Sequence, residues 1–101
     1  MSVNCVLVDE RGKEPDRVAD PSGLMNTLIQ PLAAADFQCW RFIDEYGDTV
    51  FNTLQMPRFL EEAALIRERS SGEAINILAE VERLARRCQA EIHTYLRFIG
   101  D

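Results

Sequence analysis

The chain has 101 residues with a formal net charge of −6, and 47% of its residues are hydrophobic. This length allows one domain with one core, and the apolar content is too high for a disordered chain. The negative charge disfavours nucleic acid and anionic membranes as partners, because both require a basic footprint. No apolar run approaches the roughly 18 residues of a membrane span, and no leader pattern is evident. We therefore expect one cytoplasmic domain, residues 1–101.

The three cysteines indicate the redox environment. Cys5, Cys39 and Cys88 are odd in number and far apart, which argues against a disulfide framework and favours a reducing compartment. Each lies in an apolar pattern, so buried and unreactive thiols are expected.

The first third of the chain predicts a strand and a short helix. Ser2–Asp9 is apolar on both faces, which is typical of a central strand. The charged segment from Glu10 to Ala19 predicts a surface loop or the end of a hairpin. Asp20 is a good helix cap, and Pro31 should end a helix of about nine residues.

The middle of the chain predicts a hairpin. Phe37–Asp44 is rich in aromatic and β-branched residues and predicts a strand. Trp40 and Phe42 would share one face of it, which is expected to face the core, the alternative being a partner-facing aromatic patch. A turn at residues 45–48 leads into a third, short strand at Thr49–Phe51.

The second half predicts two helices, the first from about Pro57 to Arg69. The second is expected over Ser70–Asp101, with Gly100 at its end. From Glu73 to Phe98 it would be roughly 39 Å long at 1.5 Å per residue. Its predicted apolar stripe has spacings of three and four residues and consists of Ala74, Leu78, Val81, Ala85, Cys88, Ile92, Tyr95 and Ile99.

Together these elements predict an α+β fold. It would contain a small antiparallel or mixed three-stranded sheet, a short helix, and a C-terminal antiparallel pair of long helices, because their connection is short.

The main polar cluster is the turn between the second and third predicted strands. Three carboxylates there could contact a basic partner, hold Mg²⁺ or Ca²⁺, or serve only the turn itself. One aromatic residue, of a type enriched at contact sites, lies among them. The candidate partner-binding residues are Asp44, Glu45, Tyr46 and Asp48.

Enzyme motifs are scarce. The sequence has no Gly-rich phosphate loop and no Cys-x-x-Cys pair. Cys88 and the single histidine, His93, would point about 140° apart on a helix. We therefore assign no catalytic, cofactor-binding or metal-binding residues. Glu61 and Glu62 lie in the first turns of their helix, where its dipole favours negative charge.

The stretch from Ile43 to Asn52, followed by Leu54-Gln55 and the terminal Phe98–Asp101, resembles a group of small bacterial proteins of unassigned function. The resemblance implies a bacterial, cytoplasmic single domain and brings no catalytic residues. In size and acidity the chain is also similar to immunity proteins that neutralise basic toxins, which is an analogy only.

The leading hypothesis is a small non-enzymatic interaction protein whose acidic sheet end binds a protein partner, without a cofactor. One alternative is a metal-dependent or carboxylate-based hydrolase using Asp44, Asp48 and a helix carboxylate. Another is a structural homo-oligomer, such as a homodimer, that associates through apolar surface left uncovered on the long helix.

Overall fold

Four antiparallel strands and three α-helices form an α+β fold in residues 3–20, 23–29 and 37–100, the parts of the chain that the computed structural model describes. The sheet has the order β2-β1-β4-β3. The α+β class is confirmed, although the sheet has one strand more than expected. The elements are β1 (Asn4–Asp9), β2 (Asp16–Arg17), α1 (Met25–Ile29), β3 (Asp48–Phe51), α2 (Met56–Glu68), α3 (Glu73–Ala90) and β4 (Thr94–Ile99), with short 3-10 helices at Trp40–Phe42 and Thr53–Gln55.

Strand β1 is central, as its apolar character predicts. It pairs with β2 on one side and with β4 on the other. Cys5 and Leu7 join the hydrophobic core on one face of the sheet. Val6 lies on the opposite face, where the register places Arg17 and Arg97 on either side of it, and it is fully buried.

Helix α1 begins where Asp20 caps it. The Asp20 carboxylate accepts hydrogen bonds from the backbone N–H groups of Leu24 and Met25 over 2.9 and 2.8 Å. The cap is therefore confirmed, but the helix has five residues rather than about nine. Pro21 and Pro31, on which the predicted bounds partly depended, lie outside the described residues.

The prediction of one helix over Ser70–Asp101 is wrong. Helix α3 ends at Ala90, Glu91 is already extended, and His93 has a left-handed φ of 64°. The Thr94 hydroxyl donates to the carbonyl oxygen of Glu91 over 2.7 Å, so it provides a hydrogen-bond partner for one carbonyl group at the C-terminal end of α3. The chain then reverses direction and forms β4. Helix α3 therefore has only 18 residues and does not extend over the predicted range.

Two overlapping periodicities explain the error. In β4, Thr94, Leu96 and Phe98 are buried while the alternate residues are only partly covered, which is the two-residue period of a strand. Ile92 and Tyr95 also happen to continue the helical spacing of α3, although Ile92 is 81% exposed. The molecule's longest extent is 33 Å, which is shorter than the predicted helix.

The predicted hairpin between Phe37–Asp44 and Thr49–Phe51 is also wrong. The first segment contains the 3-10 helix at Trp40–Phe42 and no strand, and β3 pairs with β4 instead. A buried glutamate of α2, described below, binds the backbone of this segment and gives it a non-extended path.

The helix predicted from about Pro57 to Arg69 is confirmed as α2, which packs against α3. Helix α2 has 13 residues, as predicted, while α3 has 18 and is shorter than predicted. On α3, Leu78, Val81 and Ala85 are fully buried, in agreement with the predicted stripe. No helix in the described ranges is long and apolar enough to cross a membrane.

A charged cluster joins β2 to α3. Arg83 and Arg87 of α3 both donate to the Asp16 carboxylate. The hydrogen bond from Arg83 is the main reason that the pKa of Asp16 falls from 3.8 to about 2. This cluster attaches the two-residue strand β2 to the helical layer.

Leu78→Ala and Ile92→Ala should separate the observed fold from a continuous helix. We expect Leu78→Ala to lower the free energy of unfolding by about 2–5 kcal/mol, because it leaves a cavity in the core. Ile92→Ala should change it by less than about 0.5 kcal/mol, since this side chain is exposed. Urea unfolding of both variants measures this, and a large loss in Ile92→Ala would contradict the turn after α3.

Asp16→Asn should reduce the dependence of the free energy of unfolding on pH under acidic conditions. The folded-state pKa of Asp16 lies below its unfolded value, so its contribution is complete above about pH 4 and is lost as the pH falls through about 2. We expect the wild type to lose stability more steeply than Asp16→Asn over that interval in urea titrations. Parallel curves for the two proteins would contradict the role of the cluster.

Candidate functional site

A buried glutamate sets the path of the chain into the candidate site. Glu62 on α2 is fully buried, and its carboxylate accepts hydrogen bonds from the backbone N–H groups of Gln38, Cys39 and Trp40. Arg58 Nε also donates to it, over 3.1 Å. These donors matter because an uncompensated buried charge would be strongly destabilising. Glu62 is therefore a structural residue rather than an exposed helix carboxylate.

Trp40 and Phe42 do not share a core-facing side, contrary to the prediction. Trp40 is fully buried, stacks on Phe59 with ring centroids 4.8 Å apart, and donates from Nε1 to the Phe59 carbonyl oxygen. Phe42 is 58% exposed, and the Arg41 guanidinium lies over its ring at 4.6 Å. The 3-10 helix separates them, because its period is three residues rather than two.

The four residues predicted to bind a partner lie in one turn that leads into β3. The Gly100 N–H at the end of β4 donates to the Gly47 carbonyl oxygen over 2.8 Å. A Cβ at Gly100 would lie only 2.3 Å from the Glu45 carbonyl oxygen, so this glycine permits close approach rather than ending a helix. We call the turn the acidic tip, which consists of Asp44, Glu45, Tyr46, Gly47 and Asp48.

Two of the three carboxylates in the acidic tip have structural partners. Asp44 Oδ1 accepts from the Tyr46 N–H over 2.8 Å and thereby stabilises the turn. Asp48 forms an ion pair with Arg97 of β4. Within the described parts of the chain, no hydrogen bond or ion pair engages the Glu45 carboxylate. The Tyr46 side chain is 68% exposed. Tyr46 is thus the exposed ring of the tip, and Glu45, which is half-buried, is its carboxylate without a partner among the described residues.

Large apolar side chains are exposed on both sides of the acidic tip. Among the described residues, six such side chains are exposed, and four of them fall between positions 42 and 54. This segment contains β3, which is an edge strand of the sheet. The sequence pointed to two of the four, Tyr46 as a candidate partner-binding residue and Phe42 as part of an alternative partner-facing aromatic patch. The four, which we call the edge patch, are Phe42, Tyr46, Val50 and Leu54.

The cysteines and the histidine do not form a catalytic pair. All three cysteines are free and buried, as predicted. Burial raises the pKa of the Cys88 thiol, which lies 3.5 Å from the Thr94 carbonyl oxygen. His93 is exposed in the turn after α3, and its Nδ1 lies 3.7 Å from a Glu10 carboxylate oxygen. The buried thiol and the exposed imidazole therefore have different surroundings.

The other end of the sheet carries a shallow depression of about 300 Å³. It is lined by Glu10, Arg11, Lys13 and His93 among others, with charges of both signs. In the portion of the chain that the structure describes, no group of three or more His, Cys, Asp or Glu residues is arranged to hold a metal ion.

No protein-family model, curated protein or solved structure matches this chain. The resemblance to small bacterial proteins of unassigned function thus stays a prediction, and the candidate site is argued from its geometry alone.

Glu62→Gln should destabilise the protein, because the amide cannot accept from every donor that now faces the carboxylate. We expect a loss of about 1–3 kcal/mol in the free energy of unfolding. Glu61→Gln is the matched control, since that carboxylate is 66% exposed and, among the described residues, pairs with Arg58 alone. It should cost less than about 0.5 kcal/mol. Equal stabilities of the two variants in urea titrations would contradict the structural role of Glu62.

Proposed function

We propose that this protein is a small non-enzymatic module that binds another protein through the acidic tip and the edge patch. The observation that carries the proposal is the exposure of Phe42 and Tyr46, together with a Glu45 carboxylate that has no hydrogen bond or ion pair to any described residue. Clustered exposed apolar side chains mark interaction surfaces more often than they serve folding. Aromatic side chains also contribute a large share of the binding energy at many interfaces.

The charge of the chain favours a basic partner. The net charge is −6, and the tip adds a local concentration of carboxylates to that background. Complementary charge steers association and accelerates it at low salt. The analogy with immunity proteins that neutralise basic toxins rests on the same two traits, small size and acidity. The proposed setting is the cytoplasm of a bacterial cell.

Contacts within the fold support this proposal over the two alternatives. A hydrolase would use Asp44 and Asp48, yet Asp44 stabilises the turn and Asp48 pairs with Arg97. A homodimer was expected from uncovered flanks of a long helix. Ile77 and Leu84 on one of those flanks are buried, and on the other flank Leu96 is buried and Ile75 is only partly exposed, so little uncovered apolar surface supports a homodimer.

The test is affinity capture from a lysate of the source organism, with mass-spectrometric identification of the bound proteins. The double variant Glu45→Lys/Tyr46→Ala should lose the partner that the wild type captures, because it reverses the charge at Glu45 and removes the exposed ring of the tip. Its melting temperature should stay close to that of the wild type, since Tyr46 is exposed and no hydrogen bond or ion pair among the described residues engages the Glu45 carboxylate.

Glu68→Lys/Leu65→Ala is the matched control, because it makes the same kind of change on exposed residues of α2. This control should capture the partner normally. A partner that depends equally on both surfaces, or no partner that depends on the tip, would refute the proposal.

A further inference from the structure

The pattern of hydrogen bonds in the sheet shows which backbone groups of β3 point outward. Antiparallel neighbours alternate between pairs that exchange hydrogen bonds and pairs that do not. The Gly100 N–H bonds to Gly47, so in this register the pairs of Thr49 with Phe98 and of Phe51 with Leu96 are also hydrogen-bonded. The N–H and C=O groups of Asp48 and Val50 therefore point away from β4.

This outer edge of β3 is available for pairing. In the described residues, no side chain or other segment donates to or accepts from the backbone of Asp48 or Val50 outside the sheet. The strand is only four residues long and begins with the charged Asp48, which limits how much of its edge can pair. It has no proline, no lysine and no bulge in its register, which are further devices that protect edges from pairing with other chains. The Val50 side chain is also 54% exposed.

We propose that the β3 edge accepts an extended, basic segment of a partner protein as a fifth strand of the sheet. The inference rests on the proposed function and specifies how that partner binds. Strand addition obtains affinity from main-chain hydrogen bonds and specificity from alternate side chains. Here Asp48 and Val50 supply the main-chain groups, and the edge patch supplies apolar contacts on both sides of them.

Charge at one end of the edge argues for a basic segment. The acidic tip ends at Asp48, the first residue of β3, and no described residue pairs with the Glu45 carboxylate, which could therefore bind a lysine or arginine. Asp48 already forms an ion pair with Arg97. A basic residue near the tip would add a second cation to a site with three carboxylates.

A second copy of the chain fits this edge less well. Pairing two β3 strands would bring together two molecules that each carry a net charge of −6. Like charges at close range oppose association. Charge complementarity therefore selects a basic strand from another protein.

The test uses nuclear magnetic resonance with a short synthetic peptide of alternating valine and threonine, flanked by lysines. At millimolar peptide, the backbone amide signals of Asp48 and Val50 should shift most, because their N–H groups would donate to the peptide. A copy of the peptide that is N-methylated at alternate residues should bind about tenfold more weakly or worse, since it cannot form the main-chain hydrogen bonds. A copy with glutamates in place of the lysines should also bind more weakly.

Val50→Pro tests the same contact from the protein side, and Val50→Thr is its control. Proline is tolerated at an edge position whose N–H faces solvent, so the β4 pairing should survive while the outward donor is lost. We expect Val50→Pro to abolish the peptide-induced shifts and Val50→Thr to retain them. The N-methylated peptide gives an independent answer if Val50→Pro unfolds.

Several results would overturn the inference. They are the absence of shifts at Asp48 and Val50, shifts that N-methylation does not weaken, and a β3-mediated dimer in sedimentation velocity. A captured partner that depends on Glu45 and Tyr46 but binds Val50→Pro normally would refute the strand addition and leave the proposed function standing.

Discussion

The carboxylate of Glu62 is the constraint on which much of this structure depends. It is buried on α2 and accepts hydrogen bonds from the three backbone N–H groups of residues 38–40 and from the Arg58 guanidinium. The transfer of a charge into the core is costly unless its hydrogen bonds are complete. Satisfying Glu62 therefore requires the chain to turn at this point. The turn places Trp40 against Phe59, which is also close to the rings of Phe51 and Phe98 of β3 and β4.

Local patterns in the sequence predicted the elements that local forces determine. Strand β1, helix α2 and the buried face of α3 follow from apolar spacing, and the Asp20 cap follows from residue type. Strand β4 could not be separated from α3 in this way, because Tyr95 continues the helical spacing while Leu96 and Phe98 follow the strand period. The break at His93, whose φ is 64°, carries no glycine or proline to mark it.

The candidate site was predictable only where local sequence determines it. Turn chemistry identified the acidic tip, since Asp44 and Gly47 are residues that turns require. The sequence did not show that Asp48 pairs with Arg97, a residue 49 positions away. Nor could it place Val50 at an edge, because strand order depends on which segments pair across the whole sheet. Edge position is a property of topology, and composition alone does not encode it.

The wrong hairpin and the proposed binding edge have one physical origin. Had residues 37–44 formed a strand beside β3, as their aromatic composition favours, their backbone would have covered the outward groups of Val50. Glu62 binds the backbone of residues 38–40 instead, through N–H groups a strand would need for its own ladder. Residues 42 and 44 contact β3 through the Thr49 hydroxyl, not through a backbone ladder, and β3 remains an edge strand. A fully buried charge on a helix thus leaves β3 as an edge strand, with the outward backbone groups on which the proposed strand addition depends.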